Sequence, residues 1–350
     1  MYYSKASYEI KKKLKRIEKN VNNKKNGSEN IKELESLLNQ PYLKSEIKNL
    51  LFKSYLLDKR IKQALDTIKK LYEENNEEKY LFELVKLLLD IGDTSTAKKY
   101  IDQAYYSEMK IYLEGLYNEY IGENDRAINC LNKLNHTVME EDMHIELSCV
   151  YENMHDIEKT KQELYMLLNT NKKYQALVRL IRIAIGENDN SIKKIFDMCD
   201  IDSCKHKGDL IQYRRCLTYY KYSTGELKED DVENYSDSQL YDYSKERALY
   251  HIKKKHFDSA VYYKFNDDID LNSVFEYCKK NLNHVVRKGD SDIYIVRMPY
   301  NVGSLMEYTT DLVEVITIHD TDKIVTLYPV PRLGKYYVNN LNKGDKRNEK

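Results

Sequence analysis

The pentapeptide IGEND occurs twice in this chain, at Ile121–Asp125 and at Ile185–Asp189, 64 residues apart. We interpret the glycine of each copy as a turn between two helices. The fifth residue after each of these glycines is small, and so is the fifth residue after each of three other candidate turns. The small residues recur at intervals of 30 to 33 positions: Ala64, Ala97, Ala127, Thr160 and Ser191. A repeat near this period predicts stacked helical hairpins, because a single hairpin cannot bury its apolar face alone.

Aliphatic residues accompany each small residue. The fourth residue after it is Ile68, Ile101, Leu131, Leu164 or Ile195, and three positions later come Leu71, Ala104, Leu134, Leu167 and Met198. Positions i, i+4 and i+7 lie on one helical face, so the small residue lets two helices approach while the aliphatic pair fills the space beneath. The segment LFELVKLLLD (81–90) predicts an amphipathic helix before the turn. The five predicted turns lie at Lys59, Gly92, Gly122, His155 and Gly186.

This pattern resembles the tetratricopeptide repeat (TPR) family over roughly residues 31–200. The resemblance implies helix–turn–helix units of about 34 residues that stack into a solenoid and offer a concave groove to a protein or peptide partner. The chain departs from the family pattern, because it has no Trp and lacks the closing proline, and the small residue of the first helix is present only as Gly115 and Ser148. An irregular bundle of amphipathic helices is the alternative. Tyrosines and asparagines are the candidates to line a groove: Tyr112, Tyr117, Asn118 and Tyr151.

Charge and composition restrict the classes of partner. Lys+Arg and Asp+Glu both number 57, so the chain as a whole has no net field that would attract nucleic acid or membrane. No stretch approaches 18 apolar residues, and the N-terminus lacks the apolar region of a secretory signal. The six cysteines form no CxxC pair, which favours reduced thiols in the cytoplasm and no metal site. Residues 1–30 are predicted as a lysine-rich helix and linker that either contacts phosphates or is simply solvated.

The pattern changes after about residue 236. Three of the four prolines lie in the last 52 residues, and runs with a period of two appear for the first time. DIYIVRM (292–298) predicts a strand, while LVEVITI (312–318) and KIVTLYPV (323–330) flank the turn-rich HDTD and predict an antiparallel hairpin. Helices are predicted over 236–256 and 271–282. The fold class is therefore mainly α, a solenoid of helix pairs followed by a small α+β domain with two helices and an antiparallel sheet.

A second resemblance rests on HIKKKH at a helix end, on DIYIVRMPYNVG and on TTDLVEVITIHDTDKIVTLYPV. These stretches are similar to small phage-associated domains of the barnase–EndoU–colicin–RelE (BECR) ribonuclease group over about residues 237–332. The resemblance implies two helices packed on a sheet of about four strands. It also implies metal-independent cleavage of RNA, in which a base activates the ribose 2′-OH and an acid protonates the leaving 5′-oxygen. Patterning alone indicates only a small α+β domain.

Carried over to this chain, the resemblance assigns five catalytic positions: His256, His251, Thr326, Tyr328 and Arg332. His256 is the favoured histidine because it lies where the helix ends, and Arg297 and Lys335 are further cations nearby. Thr326 and Tyr328 share a strand face, and the hairpin register decides whether Thr317 joins them.

Each of these residues also has a simpler interpretation. A histidine in HIKKKH is often a solvated cation favoured by the helix dipole, and threonine and tyrosine are common in strands. The acidic cluster NDDIDLN (266–272) is explained by helix capping. No P-loop, HExxH, CxxC or GxSxG motif is present, so no cofactor and no metal is predicted.

The predicted domains are a lysine-rich helix and linker (1–30), a TPR-like repeat region with a capping helix (31–235), an α+β domain (236–340) and a disordered tail (341–350). Two functions remain open. In the first, the chain is an effector whose C-terminal domain binds or cleaves RNA while the solenoid recognises a protein or peptide partner. In the second, it is a non-enzymatic scaffold or peptide-sensing regulator. Neither hypothesis involves a membrane, and the oligomeric state is open.

Overall fold

The computed structural model describes residues 5–22, 25–39, 43–187, 194–195, 213, 252, 263–282, 285–289, 291–305 and 308–330. The chain divides into two compact units, Met1–Ala104 and Tyr105–Lys350. The first unit is helical, and the second holds further helices followed by antiparallel strands and one more helix. The predicted fold class, mainly α with a small α+β region at the C-terminal end, is confirmed.

The first unit is built from helices that pack against their neighbours in sequence. They are α1 (Lys5–Asn22), α2 (Gly27–Leu37), α3 (Lys44–Leu57), α4 (Ile61–Asn75), α5 (Glu78–Asp90) and α6 (Thr94–Gln103). The lysine-rich α1 buries one stripe at i, i+4, i+7 and i+11, formed by Ile10, Leu14, Ile17 and Val21, and packs on α3. Its basic residues therefore cover the solvent face of a packed helix.

The second unit opens with helices of the same arrangement. They are α7 (Glu108–Tyr120), α8 (Asn124–Leu131), a 3-10 turn (Asn132–Leu134), α9 (Glu140–Asn153), α10 (Ile157–Met166) and α11 (Lys173–Glu187). Three contacts join first helices of successive pairs, and each links residues 34 positions apart: Tyr112 with Glu146, Glu119 with Asn153, and Ile145 with Arg179. Among the described helices, none is long and apolar enough to cross a membrane.

Four of the predicted turns share one backbone geometry. Lys59, Gly92, Gly122 and His155 all have φ between 61° and 86°, the left-handed conformation that ends many helices. In the first copy of IGEND, Gly122 donates its N–H to Glu119 and Glu123 donates to Asn118, which is the paired hydrogen bonding of a Schellman motif. The equivalent bonds recur at the other three turns, so a common helix stop underlies the period seen in the sequence.

The small residues lie in the second helix of each pair. Ala64, Ala97, Ala127 and Thr160 have no exposed surface, whereas Ser191 and Met198 lie outside the described residues. On the first helix of a pair, a Cβ added at Gly115 would come within 2.7 Å of Leu131 Cδ2. Glycine at this position lets α7 approach α8 closely.

Gly186, in the second copy of IGEND, departs from the prediction. It is not the turn between two helices, because α11 continues through it to Glu187. A Cβ on Gly186 would lie 2.3 Å from the carbonyl oxygen of Gly289, in the turn between the first two strands of the four-stranded sheet. The glycine therefore serves a close approach to the sheet, and the same pentapeptide has two different structural roles.

The C-terminal elements form two antiparallel sheets and a helix. They are β1 (Lys264–Phe265), α12 (Leu271–Lys280), β2 (Val285–Lys288), β3 (Ser291–Arg297), β4 (Gly303–Leu305), β5 (Tyr308–Thr310), β6 (Leu312–Ile318) and β7 (Ile324–Val330). The larger sheet has the order β2-β3-β6-β7, and the smaller one has the order β1-β4-β5. Asp270 caps α12 by accepting hydrogen bonds from the N–H groups of Asn272 and Ser273, which confirms the capping interpretation for this residue.

The larger sheet has two different faces. Its first face packs on α12 and contains Val296, Val313, Val315 and Leu327, with Phe275 and Cys278 from the helix. Ile252, from the predicted helix 236–256, is fully buried in this core, and the rest of that segment lies outside the described residues. The second face contains a smaller apolar group: Ile295, Leu312, Tyr328 and Val330. Side chains alternate between these faces along the strands, except at a register shift between β6 and β7 beside Ile316 and Thr317.

Candidate functional site

The turn between β6 and β7 brings a histidine to a buried carboxylate. His319 Nδ1 lies 2.8 Å from Asp292 Oδ1, although the two residues are 27 positions apart in the chain. The other carboxylate oxygen, Asp292 Oδ2, accepts the backbone N–H of Asp320 at 2.9 Å. Both oxygens of Asp292 are therefore engaged by the turn.

Exposure differs sharply across this cluster. The Asp292 side chain is 6% exposed, His319 is 18% exposed, and Asp320 is 87% exposed. The second ring nitrogen, His319 Nε2, lies 3.4 Å from Asp320 Oδ2. The imidazole is thus anchored at Nδ1 by the buried Asp292, while Nε2 lies beside the exposed carboxylate of Asp320.

Local geometry explains why these residues meet. Asp292 pairs with Thr317 across the β3–β6 ladder, so it lies close to the end of β6, where His319 follows. Asp320 adopts φ 56°, a left-handed conformation that aspartate tolerates better than most residues. Thr321 closes the turn by donating both its N–H and its hydroxyl to the carbonyl of Ile318.

Two further groups surround the cluster. Burial, followed by the charge of Asp292, raises the pKa of the Tyr294 phenol above its ordinary value. Lys279, near the end of α12, reaches the same turn and forms an exposed ion pair of 3.3 Å with Asp322. The lysine of an exposed ion pair can readily bind another anion instead, because such a pair contributes little net stabilisation.

The arrangement can hold and move a proton. Because an ionised carboxylate only accepts hydrogen bonds, Asp292 assigns the proton of this contact to Nδ1 and leaves the lone pair of the neutral ring on Nε2. Asp292, His319 and Asp320 could also each offer one ligand atom to a metal ion, since these atoms lie within 4.8 Å of one another. A cation bound by Asp292 would share a carboxylate whose two oxygens each already take part in one hydrogen bond.

Two of the five predicted catalytic residues, Thr326 and Tyr328, lie in the part of the chain that the structure describes. His251, His256, Arg332 and Lys335 lie outside the described residues. Thr326 and Tyr328 do share one face, as predicted, but it is the second face of the sheet, opposite α12.

On that face, Thr326 is buried, and the Tyr328 hydroxyl donates to Glu314 Oε1 at 2.5 Å. Thr317 does not join them. It pairs with Ile324 after a register shift and points to the first face, whereas Thr326 pairs with Ile316. Arg297 is exposed, with its Nε 4.0 Å from Asp311 Oδ2.

The Asp292–His319 pair was not predicted from the sequence. HDTD (319–322) was predicted only as a turn, and Asp292 only as the first residue of a strand. A histidine directly after a strand and an aspartate at the start of another strand were the available signals. They point to each other only when β3 is known to pair with β6 in the observed register.

The residues proposed to line a groove have unequal positions. Tyr112 is buried, and burial, followed by the charges of Glu146 and Asp142, raises the pKa of its phenol above the ordinary value. Tyr117 is partly buried, and the Asn118 side chain donates to the carbonyl of Glu114 in its own helix. The Tyr151 ring lies 5.3 Å from Lys159 Nζ.

Three comparisons with known proteins were negative: no protein-family model matches the chain, and no match was found among curated proteins or among solved structures.

Proposed function

We propose that the C-terminal α+β region binds and cleaves RNA by metal-independent acid–base catalysis, and that the helical repeats recognise a protein or peptide partner. The observation that carries the proposal is the partly exposed His319, held at Nδ1 by the buried Asp292. The resemblances to TPR proteins and to BECR-type ribonuclease domains support it further. An antiparallel sheet with a helix on one face agrees with what the second resemblance implies.

The chemistry requires few groups. In the proposed reaction, a base takes the proton from the ribose 2′-OH, and the 2′-oxygen forms a bond to the adjacent phosphorus. The bond from phosphorus to the 5′-oxygen breaks, and an acid protonates that oxygen, which leaves a 2′,3′-cyclic phosphate and a free 5′-OH. His319 Nε2 serves as one of the two proton-transfer groups, and His256 or His251 is the candidate for the other.

Charge stabilisation completes the proposed site. Lys279 is already paired with Asp322 on the turn that carries His319, and it can turn to a phosphate oxygen instead. Tyr328, Thr326 and Arg332 remain candidates for contacts to RNA on the second face. A substrate that reaches Thr326 requires that face to open, because the side chain is buried.

The test is cleavage of a mixed-sequence RNA by the full-length chain in the presence of EDTA, with cyclic phosphate ends as the product to be measured. We expect His319→Gln and Asp292→Asn to reduce the rate by about 100-fold or more, the usual contribution of acid–base catalysis. The cleavage rate of Tyr328→Phe tests whether the second face of the sheet takes part in the reaction.

A second histidine–carboxylate pair supplies the matched control. His144 Nδ1 lies 2.6 Å from Glu163 Oε2 in the helical part of the same unit, with similar burial. His144→Gln should leave the rate unchanged. An unreactive wild-type chain would refute the ribonuclease proposal, and equal activity of the His319 and His144 variants would refute the role of His319.

One observation favours the alternative, a non-enzymatic scaffold or peptide-sensing regulator. Large apolar side chains are exposed in or beside the segments that lead from one helix pair to the next: Tyr105, Tyr106, Val138, Tyr165 and Met166. Exposed apolar groups of this size are common at protein interfaces. A chain that binds a protein while leaving RNA intact would support this alternative.

A further inference from the structure

The second unit contains two separate apolar cores. One lies among the helices and includes Leu164, Leu177 and Ile181, and the other lies between α12 and the larger sheet and includes Val296 and Leu327. The two share no residue. The turn between β2 and β3 meets α9 and α11 through polar and main-chain groups.

The helices contact the main chain of this turn. The N–H of Gly289 donates to Glu152 Oε1 at 3.0 Å in a buried hydrogen bond. One position earlier, the carbonyl of Lys288 accepts from Arg182 Nη2 at 3.3 Å. One donor and one acceptor of the turn are thus recognised directly.

Two glycines make the contact close. A Cβ at Gly289 would lie 2.7 Å from Arg182 Cβ, and the residue has φ +62°, which disfavours other side chains. Gly186 on α11 has its own would-be Cβ 2.3 Å from the Gly289 carbonyl oxygen. The surface therefore selects a glycine in a left-handed turn.

The acceptor is assembled by the helices themselves. Arg179 Nη2 holds Glu152 Oε2 at 2.9 Å, and Arg179 Nη1 contacts Ser148 Oγ at 2.5 Å. These bonds involve no atom of the turn. If the turn departs, its two main-chain hydrogen bonds to Glu152 and Arg182 are exchanged for hydrogen bonds to water.

We propose that this surface, formed by Glu152, Arg179, Arg182 and Gly186, is the partner-binding site of the helical repeats, and that the turn at residues 287–289 occupies it as an internal competitor. The observed occupant defines the partner chemistry: a glycine turn that offers its N–H, with a basic residue two positions before the glycine. In the internal turn this basic residue is Arg287, whose Nη1 lies 3.9 Å from Glu187 Oε1. The inference rests on the partner-recognition half of the proposed function.

The experiment measures binding and does not involve RNA, so it can fail independently of the ribonuclease proposal. The probe is a fluorescent peptide of residues 284–295, closed by a disulfide between added terminal cysteines, and the control peptide carries Gly289→Ala. Each is titrated by anisotropy against the full-length wild type, Gly289→Ala, and Gly289→Ala combined with Glu152→Ala.

We expect the probe to bind the Gly289→Ala chain about tenfold more tightly than the wild type, because the internal turn no longer fills the site. The Glu152→Ala combination should lose this binding, and the control peptide should bind none of the chains. Equal binding to all chains, or no binding to a folded Gly289→Ala chain, overturns the proposal.

Hydrogen exchange of the wild type provides a second measurement if the Gly289→Ala chain does not fold. Excess probe peptide, but not the control, should accelerate exchange of the Gly289 amide, because displacement breaks its bond to Glu152. Unchanged exchange at saturating probe refutes the competition.

Discussion

The seam between α7 and α8 allows a sharp test of the repeat geometry. Gly115→Ala adds one methyl group at a point where Leu131 Cδ2 would lie 2.7 Å away and Leu131 Cγ 2.8 Å away. Two effects compete. Alanine favours the helix by about 1 kcal/mol over glycine, whereas overpacking a filled core costs about 1–3 kcal/mol.

The sign of the net stability effect of Gly115→Ala depends on whether the Leu131 side chain is present. In the wild-type background we expect Gly115→Ala to destabilise this helix pair by about 1 kcal/mol, because two Leu131 atoms would lie closer to the new methyl group than van der Waals contact allows. Leu131→Ala alone should cost about 2–5 kcal/mol, since Leu131 is fully buried. With Leu131 truncated, the added methyl group meets empty space, and Gly115→Ala should instead stabilise by about 1 kcal/mol.

The assay is native-state hydrogen exchange of peptides that cover residues 108–131, which reports the local opening free energy of α7 and α8. The coupling between the two substitutions should be about 2 kcal/mol, within the range known for contacting residues. Leu164→Ala is the matched control, because Leu164 holds the corresponding buried position in the next pair. It should be additive with Gly115→Ala.

Additivity of Gly115→Ala and Leu131→Ala within about 0.5 kcal/mol would refute this reasoning. It would mean that the glycine is not required by close helix approach. The explanation for the small residues at the other seams would then fail as well.

Three further outcomes are expected. Burial raises the pKa of the Cys278 thiol from 9.0 to about 12. Between these pH values the folded state retains a proton that the unfolded state loses, so the folded state becomes less stable as pH rises. The stability advantage of wild type over Cys278→Ala, measured by urea unfolding, should therefore shrink as pH rises from 9 towards 12. Thr310→Val removes the hydroxyl that donates to the Val330 carbonyl and accepts from a backbone N–H, and should lower the unfolding free energy by about 1–3 kcal/mol in the same assay. Arg179→Met leaves the buried Glu152 without its ion-pair partner and should cost about 3–5 kcal/mol, part of which the addition of Glu152→Gln restores.

Local patterns were sufficient for the longer strands and for the amphipathic helix before the turn at Gly92. The stripe of Leu84, Val85 and Leu88 is buried as its spacing predicts, and the hairpin around HDTD forms where the turn residues separate two β-rich runs. The short strands β1, β2, β4 and β5 were not predicted. With two to four residues each, they are too short for a period of two to be recognised.

Identical local sequence did not guarantee identical structure. Gly122 ends a helix, whereas Gly186, in the same pentapeptide, remains helical and meets a distant turn. The conformational freedom of glycine permits both roles, and packing against Gly289 selects the second.

The helix pairs, four of the turns between helices and the change to strands near the C-terminal end follow from residues only a few positions apart, so they could be predicted from local sequence. Long-range packing is needed to bring Asp292 to His319, to place Thr317 and Thr326 on opposite faces and to bring Gly289 to Glu152. Strand pairing, a register shift and the packing of the β2–β3 turn against the helices bring these residues together. Each of these contacts joins residues that are far apart in the chain, and the local pattern of apolar residues does not indicate which distant segment will pack against a given one.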